Sequence, residues 1–309
     1  MPERGAPGGL WGSPLPTGAW GDVSPQKEKP AQPVLVAVAH GSADPRAAAT
    51  IEDLMTIVAR RVARRAAQGS VRAAQRAPQR AGPEPRRAPG RGLSTPDLLT
   101  AYLGHAAPSL PQVMASIKDG TGVTVLPLLL TAAYHSKTDI PRLLAHLGRD
   151  FPLLRVSYGA ALGPHPLLLQ ALERRLAEAA PAVLENPAQT GVVLAAAGSS
   201  DPDANATIAR LAVQWQARAG WFAVRPAYAA SATGPSPAAA VTGLLRAGAP
   251  RVVVATYLLA PGVFADRIRD ASHAAGAAAV SAALGATPEV ADVLLDRYHE
   301  TGSGRRAAA

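Results

Sequence analysis

"VAVAHGSADP", from Val36 to Pro45, and "LAAAGSSDPD", from Leu194 to Asp203, are two versions of one stretch. Each ends a run of small apolar residues, turns through Gly-Ser, and reaches Asp-Pro one residue later. Asp suits a helix N-cap and Pro suits a first helical turn. Each copy therefore reads as a buried strand, a tight turn and a helix start. The copies differ at one chemically loaded position: His40 stands where the second has Ala197.

Outward from these stretches the same alternation continues. "PVLVAVA" (33–39), "GVTVLPLLL" (122–130), "GVVLAAA" (191–197) and "RVVVATYLL" (251–259) read as buried parallel strands. "DLLTAYL" (97–103), "LLRVSYGAAL" (153–162) and "WFAVRPAYA" (221–229) are weaker strand candidates. The segments that follow Asp44 and Asp201 carry an apolar stripe at helical spacing. Strand and helix in alternation predict an α/β fold with parallel sheets.

Self-comparison shows that the chain is a repeat. His40 aligns with Ala197 at an offset of 157 residues, and His135 aligns with Phe264 at an offset of 129. The two offsets differ by 28 residues, close to the length of an Arg- and Pro-rich segment at 66–92. "AYLGHAAPSLP" (101–111) and "AYAASATGPSP" (227–237) correspond at an offset of 126. We expect a flexible leader (1–31), an N-terminal lobe (32–150) holding a disordered basic insertion (66–92), a homologous C-terminal lobe (151–300) and a tail (301–309).

Composition narrows the chemistry. There is no cysteine among the 309 residues, which removes disulfides, thiolate metal sites and iron–sulfur clusters. No apolar run reaches the ~18 residues of a membrane-spanning helix. The first 25 residues lack the apolar core of a signal peptide, so a cytoplasmic location is expected. The net charge is +9, of which the segment 66–92 holds +5. No aromatic side chain is interleaved there for base stacking, so a nucleic-acid partner is not expected. The remaining excess would help an acidic ligand approach.

His40 and His135 both fall just beyond the C-terminal end of a predicted parallel strand, where ligand sites of open α/β sheets collect. A neutral imidazole there can accept a proton or ligate a divalent ion. The second lobe keeps Gly-Ser and Asp-Pro yet has Ala197 and Phe264 at these two positions, so the fold does not require imidazole. His105 follows "DLLTAYL" and either reaches the same rim or serves packing. Gly41 either permits a tight turn or, with Ser42, exposes amides to an anionic ligand. Asp44 reads as a helix cap. His146, His165, His273 and His299 fall in helices or helix starts, with surface or packing roles.

"VAVAHGSADP", "AYLGHAAPSLPQVM" and "VLPLLLTAAYHSKTDIP" resemble the three signature blocks of sirohydrochlorin chelatases in the class II chelatase superfamily. "YLLAPGVFADRI" is similar to the matching block in the second half of its two-lobed members. The resemblance covers roughly residues 34–298 without the insertion. It implies two flavodoxin-like lobes with a cleft between them. It further implies insertion of Co2+ or Fe2+ into sirohydrochlorin or a related tetrapyrrole, for cobalamin or siroheme synthesis. On that resemblance His40 and His135 bind the ion and take up pyrrole protons, and no cofactor is permanently bound.

One departure stands out. Many relatives have a glutamate in a "FLE" block, whereas "YLG" puts Gly104 there, and its neighbour His105 is the candidate replacement as metal ligand. Lys137 and Arg142 either pair with substrate carboxylates or form a solvated helix start. The alternative function is a non-catalytic tetrapyrrole or metal carrier using the same histidines. Sequence carries no signal for cobalt over iron, nor for self-association.

Overall fold

The computed structural model describes residues 32–75, 95–131, 138–230 and 234–307. Strand β1 (Val34–Ala39) is buried along its whole length, as is β5 (Thr190–Ala196), because helices cover both faces of each sheet. Around β1 lie β2 (Asp97–Tyr102), β3 (Gly122–Pro127) and β4 (Arg155–Tyr158), in the order β2-β1-β3-β4. Around β5 lie β6 (Ala223–Tyr228), β7 (Arg251–Tyr257) and β8 (Ala279–Val280), in the order β6-β5-β7-β8. All pairings are parallel. The fold is thus α/β with two similar parallel sheets, as the sequence pattern implies.

The repeat survives in the strand register. Val34 pairs with Asp97 and Val123, while Gly191 pairs with Ala223 and Val252. These partners are related by the offsets 157, 126 and 129 found in the sequence. In each sheet the chain leaves the central strand to one side and returns on the other. That switch opens a crevice at the carboxyl ends of β1 and β3, and of β5 and β7.

The helices are α1 (Pro45–Gln75), α2 (Leu110–Ala115), α3 (Ile140–Asp150), α4 (Pro166–Ala179), α5 (Pro202–Ala219), α6 (Pro237–Arg246), α7 (Val263–Ala274) and α8 (Pro288–Ala307). Alternation along β1 splits its side chains between two cores. Val34, Val36 and Val38 pack with α2 and α3, whereas Leu35, Ala37 and Ala39 join a central core with Leu54 and Val58 of α1. That central core also holds Leu168 and Leu172 of α4, Leu194, Trp215 of α5 and Leu294 of α8. Val193 and Ala195 face α6 and α7 on the far side. One shared core therefore lies between the sheets.

Two helices are exchanged across it. α4 follows β4 of the first sheet yet packs on β7 and β8, and α8 follows β8 yet packs on α1 and β3. Arg174 of α4 closes on Glu289 of α8 at 2.6 Å, and Arg61 of α1 on Asp292 of α8 at 2.9 Å. Arg297 of α8 donates to the Ala161, Leu162 and Pro164 carbonyls at 2.9–3.3 Å.

Three sequence expectations are corrected. β4 pairs with β3, so the first sheet extends past residue 150, to Tyr158. Residues 66–75 of the basic segment continue α1, because Ala, Arg and Gln are strong helix formers and no proline intervenes before Pro78. Residues 301–307 of the expected tail continue α8. The leader (1–31) and the rest of the basic segment (76–94) lie outside the described residues.

Candidate active site

The crevices of the two sheets face each other and merge into one cavity of about 760 Å³. Its walls are the loops after β1, β2 and β3 on one side and those after β5 and β7 on the other. The lining is mostly aliphatic, with Ile51, Leu128, Leu129, Ile208, Leu258 and Leu259 as its larger members. Among the described lining residues there is no lysine or arginine.

His40 is exposed on this wall, directly after β1. Its Nδ1 lies 3.3 Å from the Gly41 carbonyl oxygen. Two backbone bonds prolong the β1–β2 ladder beneath it: Leu103 N–H donates to Ala39 O at 3.0 Å, and Gly104 N–H donates to His40 O at 3.2 Å. The chain can turn away only because residue 41 is glycine. Gly41 has φ +87°, and a Cβ there would stand 1.7 Å from the Gly104 carbonyl oxygen. Gly41 thus presses the β1 loop on the β2 loop, and the reading as a tight turn accounts for it.

Both copies of the turn are wired alike. Ser42 Oγ accepts from Asp44 N–H at 3.1 Å, and Ser199 Oγ accepts from Asp201 N–H at 3.0 Å. Asp44 caps α1 by accepting from Arg46 N–H at 2.9 Å, and Asp201 caps α5 by accepting from Asp203 N–H at 3.0 Å. Gly198 repeats the positive φ at +84°. With Ala197 in place of His40 the second copy keeps these Ser and Asp bonds, so they do not depend on an imidazole. The second copy has an extra tie: Asn205 accepts from Ser199 N–H at 3.0 Å and donates to Ser199 O at 2.7 Å. Ala48, at the matching place in α1, offers no such side chain and lines the cavity beside His40.

His105 also lines the cavity and is exposed. Its φ of +59° is left-handed, the one such value outside glycine among the described residues. That conformation costs about 1–2 kcal/mol for a residue with a side chain, and strain of this kind collects at functional sites. A Cβ on the adjacent Gly104 would meet nothing within 4 Å, so glycine is not sterically required there.

The second half supplies the opposite wall and a tie between the halves. Tyr257 of β7 is buried and donates from its hydroxyl to the Leu130 carbonyl at 3.2 Å. Burial pushes its phenol well above the usual tyrosine range, keeping it a donor. Arg46 reaches from α1 to Asp266 of α7, Nη2 to Oδ2 2.6 Å, while also holding Asp44 at 2.6 Å. The guanidinium holds both carboxyls below the usual carboxylate range, chiefly through those hydrogen bonds.

The sequence pointed to His40, Gly41 and Ser42 at one rim and left His105 between that rim and a packing role; all four line the cavity. Arg142 stands exposed on α3 and is not part of the lining. His135 and Lys137 lie outside the described residues, in the segment between Thr131, which lines the cavity, and Thr138. His165 caps α4 through Nδ1, which accepts from Leu167 N–H at 3.2 Å, as a helix-start histidine should. Tyr257, Asn205 and the Arg46–Asp266 bridge were not singled out from sequence, since each matters through a partner distant in the chain. Among the described residues no three His, Cys, Asp or Glu side chains converge as a metal-binding group, and no helix is long and apolar enough to cross a membrane.

Comparison with known proteins places this architecture. The chain is 30% identical over 174 residues to a sirohydrochlorin cobaltochelatase of Priestia megaterium, covering 55% of this chain and 56% of that protein. It is 29% identical over 194 residues to a sirohydrochlorin ferrochelatase of Bacillus subtilis (strain 168), covering 61% of this chain and 72% of that one. The chain thus spans little more than half the length of the Priestia relative. In fold it is similar to SirB from Bacillus subtilis with Fe3+, with TM-score 0.66 and 22% identity over 90% of this chain and 98% of that one. It is also similar to CbiX, described as the terminal enzyme of siroheme biosynthesis in denitrifying bacteria, with TM-score 0.55 and 19% identity over 87% and 99%. The CbiX family model matches twice, over residues 87–179 and 191–301, the first match beginning beyond β1 and His40. Because those matches take in more than half of the chain and fall one on each half of the repeat, the chain belongs to the CbiX family.

Proposed function

We propose that this chain is a sirohydrochlorin chelatase, which inserts Co2+ or Fe2+ into sirohydrochlorin. The observation that carries the proposal is the asymmetry of the duplicated turn. The Ser–Asp bonds of the turn that carries His40 are completed in its twin with Ala197 in that place, yet His40 stands exposed on the cavity wall. The chelatase names of the Priestia and Bacillus relatives support the same reading.

Metal insertion exchanges two pyrrole N–H protons for one divalent ion, with no change of oxidation state. The ion is a substrate, and the reaction needs no resident cofactor. His40 would accept a pyrrole proton and hand it to solvent, to which it is open, a task that a neutral imidazole can perform. His135 enters the proposal as the second base on its sequence position alone. His105 would offer a further nitrogen to the incoming ion. Aliphatic walls would receive the faces of the macrocycle, and the shared core behind them would hold the two walls at fixed spacing. With so few ligands the ion would be held loosely, as suits one that must be passed on. Cobalt and iron share a preference for nitrogen ligands.

The test is turnover. Purified full-length protein, supplied with excess sirohydrochlorin and Co2+ or Fe2+, should yield many equivalents of metallated chromophore per chain. A single equivalent, bound and retained, would refute the enzyme and favour a carrier.

A further inference from the structure

We propose that the first two turns of α7, in the lobe without the cavity's histidines, form a docking face for the substrate ring: Phe264 and Val263 lie against one face of the macrocycle, and Arg267 pairs with a peripheral carboxylate. This deepens the chelatase reading and rests on it.

Val263 is 61% exposed and Phe264 is 40% exposed, and both line the cavity. The other large apolar side chains exposed among the described residues are Leu153, Leu184, Val213 and Leu245, and none of these lines the cavity. Neither Val263 nor Phe264 joins any of the three cores, so folding gains little from them. An exposed aromatic ring beside an aliphatic cavity is a surface awaiting a partner. The repeat sharpens this: Phe264 occupies the position that His135 has in the other half. One half would bring a base to the ring, the other a flat apolar support.

Charge selects Arg267. Sirohydrochlorin carries many carboxylates, while the described lining has no cation. Around the mouth, Arg46 is committed to Asp44 and Asp266, and Arg269 to Asp266 and Asp270. Arg267 is exposed and makes no hydrogen bond or ion pair with the described residues. It lies four residues after Val263 and three after Phe264, on the same helical face. Helical side chains lean toward the N-terminus, so Arg267 covers the turn that carries the two apolar residues.

Binding of metal-free sirohydrochlorin to the full chain, followed by quenching of its fluorescence, is measured beside steady-state metal insertion. Phe264→Ala should weaken binding about tenfold and raise KM with little change in kcat, because ring contact is shared by ground and transition states. Phe264→Tyr should restore it. Arg267→Gln should weaken binding about threefold and flatten its salt dependence. Val213→Ala, on an exposed surface of α5, should change neither. If the parent metallates sirohydrochlorin while Phe264→Ala binds it within twofold of the parent, this docking face is overturned and the chelatase reading stands. If the parent neither binds nor metallates the ring, both fall.

Discussion

Replacing Gly41 by alanine tests how the site is positioned. Alanine at φ +87° costs about 1–2 kcal/mol from the left-handed backbone alone. The new Cβ would stand 1.7 Å from the Gly104 carbonyl oxygen, a backbone atom that no rotamer change can move. Relief requires the β1 and β2 loops to part by more than an ångström. That sacrifices the 3.2 Å bond from Gly104 N–H to His40 O, worth about 1 kcal/mol. The expected loss is therefore about 2–3 kcal/mol, read as a fall in the urea midpoint at unchanged m-value. Gly104→Ala is the matched control. Its Cβ meets nothing within 4 Å, so stability should stay within about 0.5 kcal/mol. Equal stability of the two variants would refute the steric account of the turn.

His105→Gly should raise stability by about 1 kcal/mol, since glycine accepts φ +59° freely, while slowing metal insertion; a stabilised variant with parental rates would remove His105 from the ligand set. Tyr257→Phe leaves the Leu130 carbonyl without its 3.2 Å partner and should cost about 1 kcal/mol by thermal or urea unfolding. Acid should loosen the α4 cap. Burial, then Arg297, lowers the His165 pKa below its ordinary 6.5, so the unfolded chain takes up the proton first. That contribution is complete above about pH 6.5 and is lost as pH falls toward the folded value; burial and then Arg65 act on His299 in the same direction. Protonated Nδ1 cannot accept from Leu167 N–H, so His165→Asn, which caps without titrating, should flatten the fall in Tm between pH 7 and 5.

Much of the fold was legible because its central strands are continuous apolar runs bounded by helix signals. β1, β3, β5 and β7 all lie where those runs lie. The repeat offsets reappear as strand register, since a parallel sheet duplicated whole must keep its pairings. β8, with two residues, is too short to leave a pattern. The exchange of α4 and α8 was hidden for another reason. An apolar stripe shows that a helix packs, but the stripe is silent about which sheet it packs on. In the site, His40 and His105 were visible from their place after strands. Phe264 was visible only as a position without imidazole; that it is exposed on the cavity wall depends on how α7 sits, which is tertiary. That Arg142 is exposed outside the described lining was hidden for the same cause, since adjacency to a motif in sequence says little about where α3 puts it.

The most direct measurement is the rate of metal insertion by His40→Ala beside the parent, with binding of metal-free sirohydrochlorin followed in both. Loss of a positioned base should slow insertion by at least about a hundredfold while ring binding persists. An unchanged rate in His40→Ala would contradict the central claim, that one lobe keeps an imidazole at this turn to carry out the chemistry.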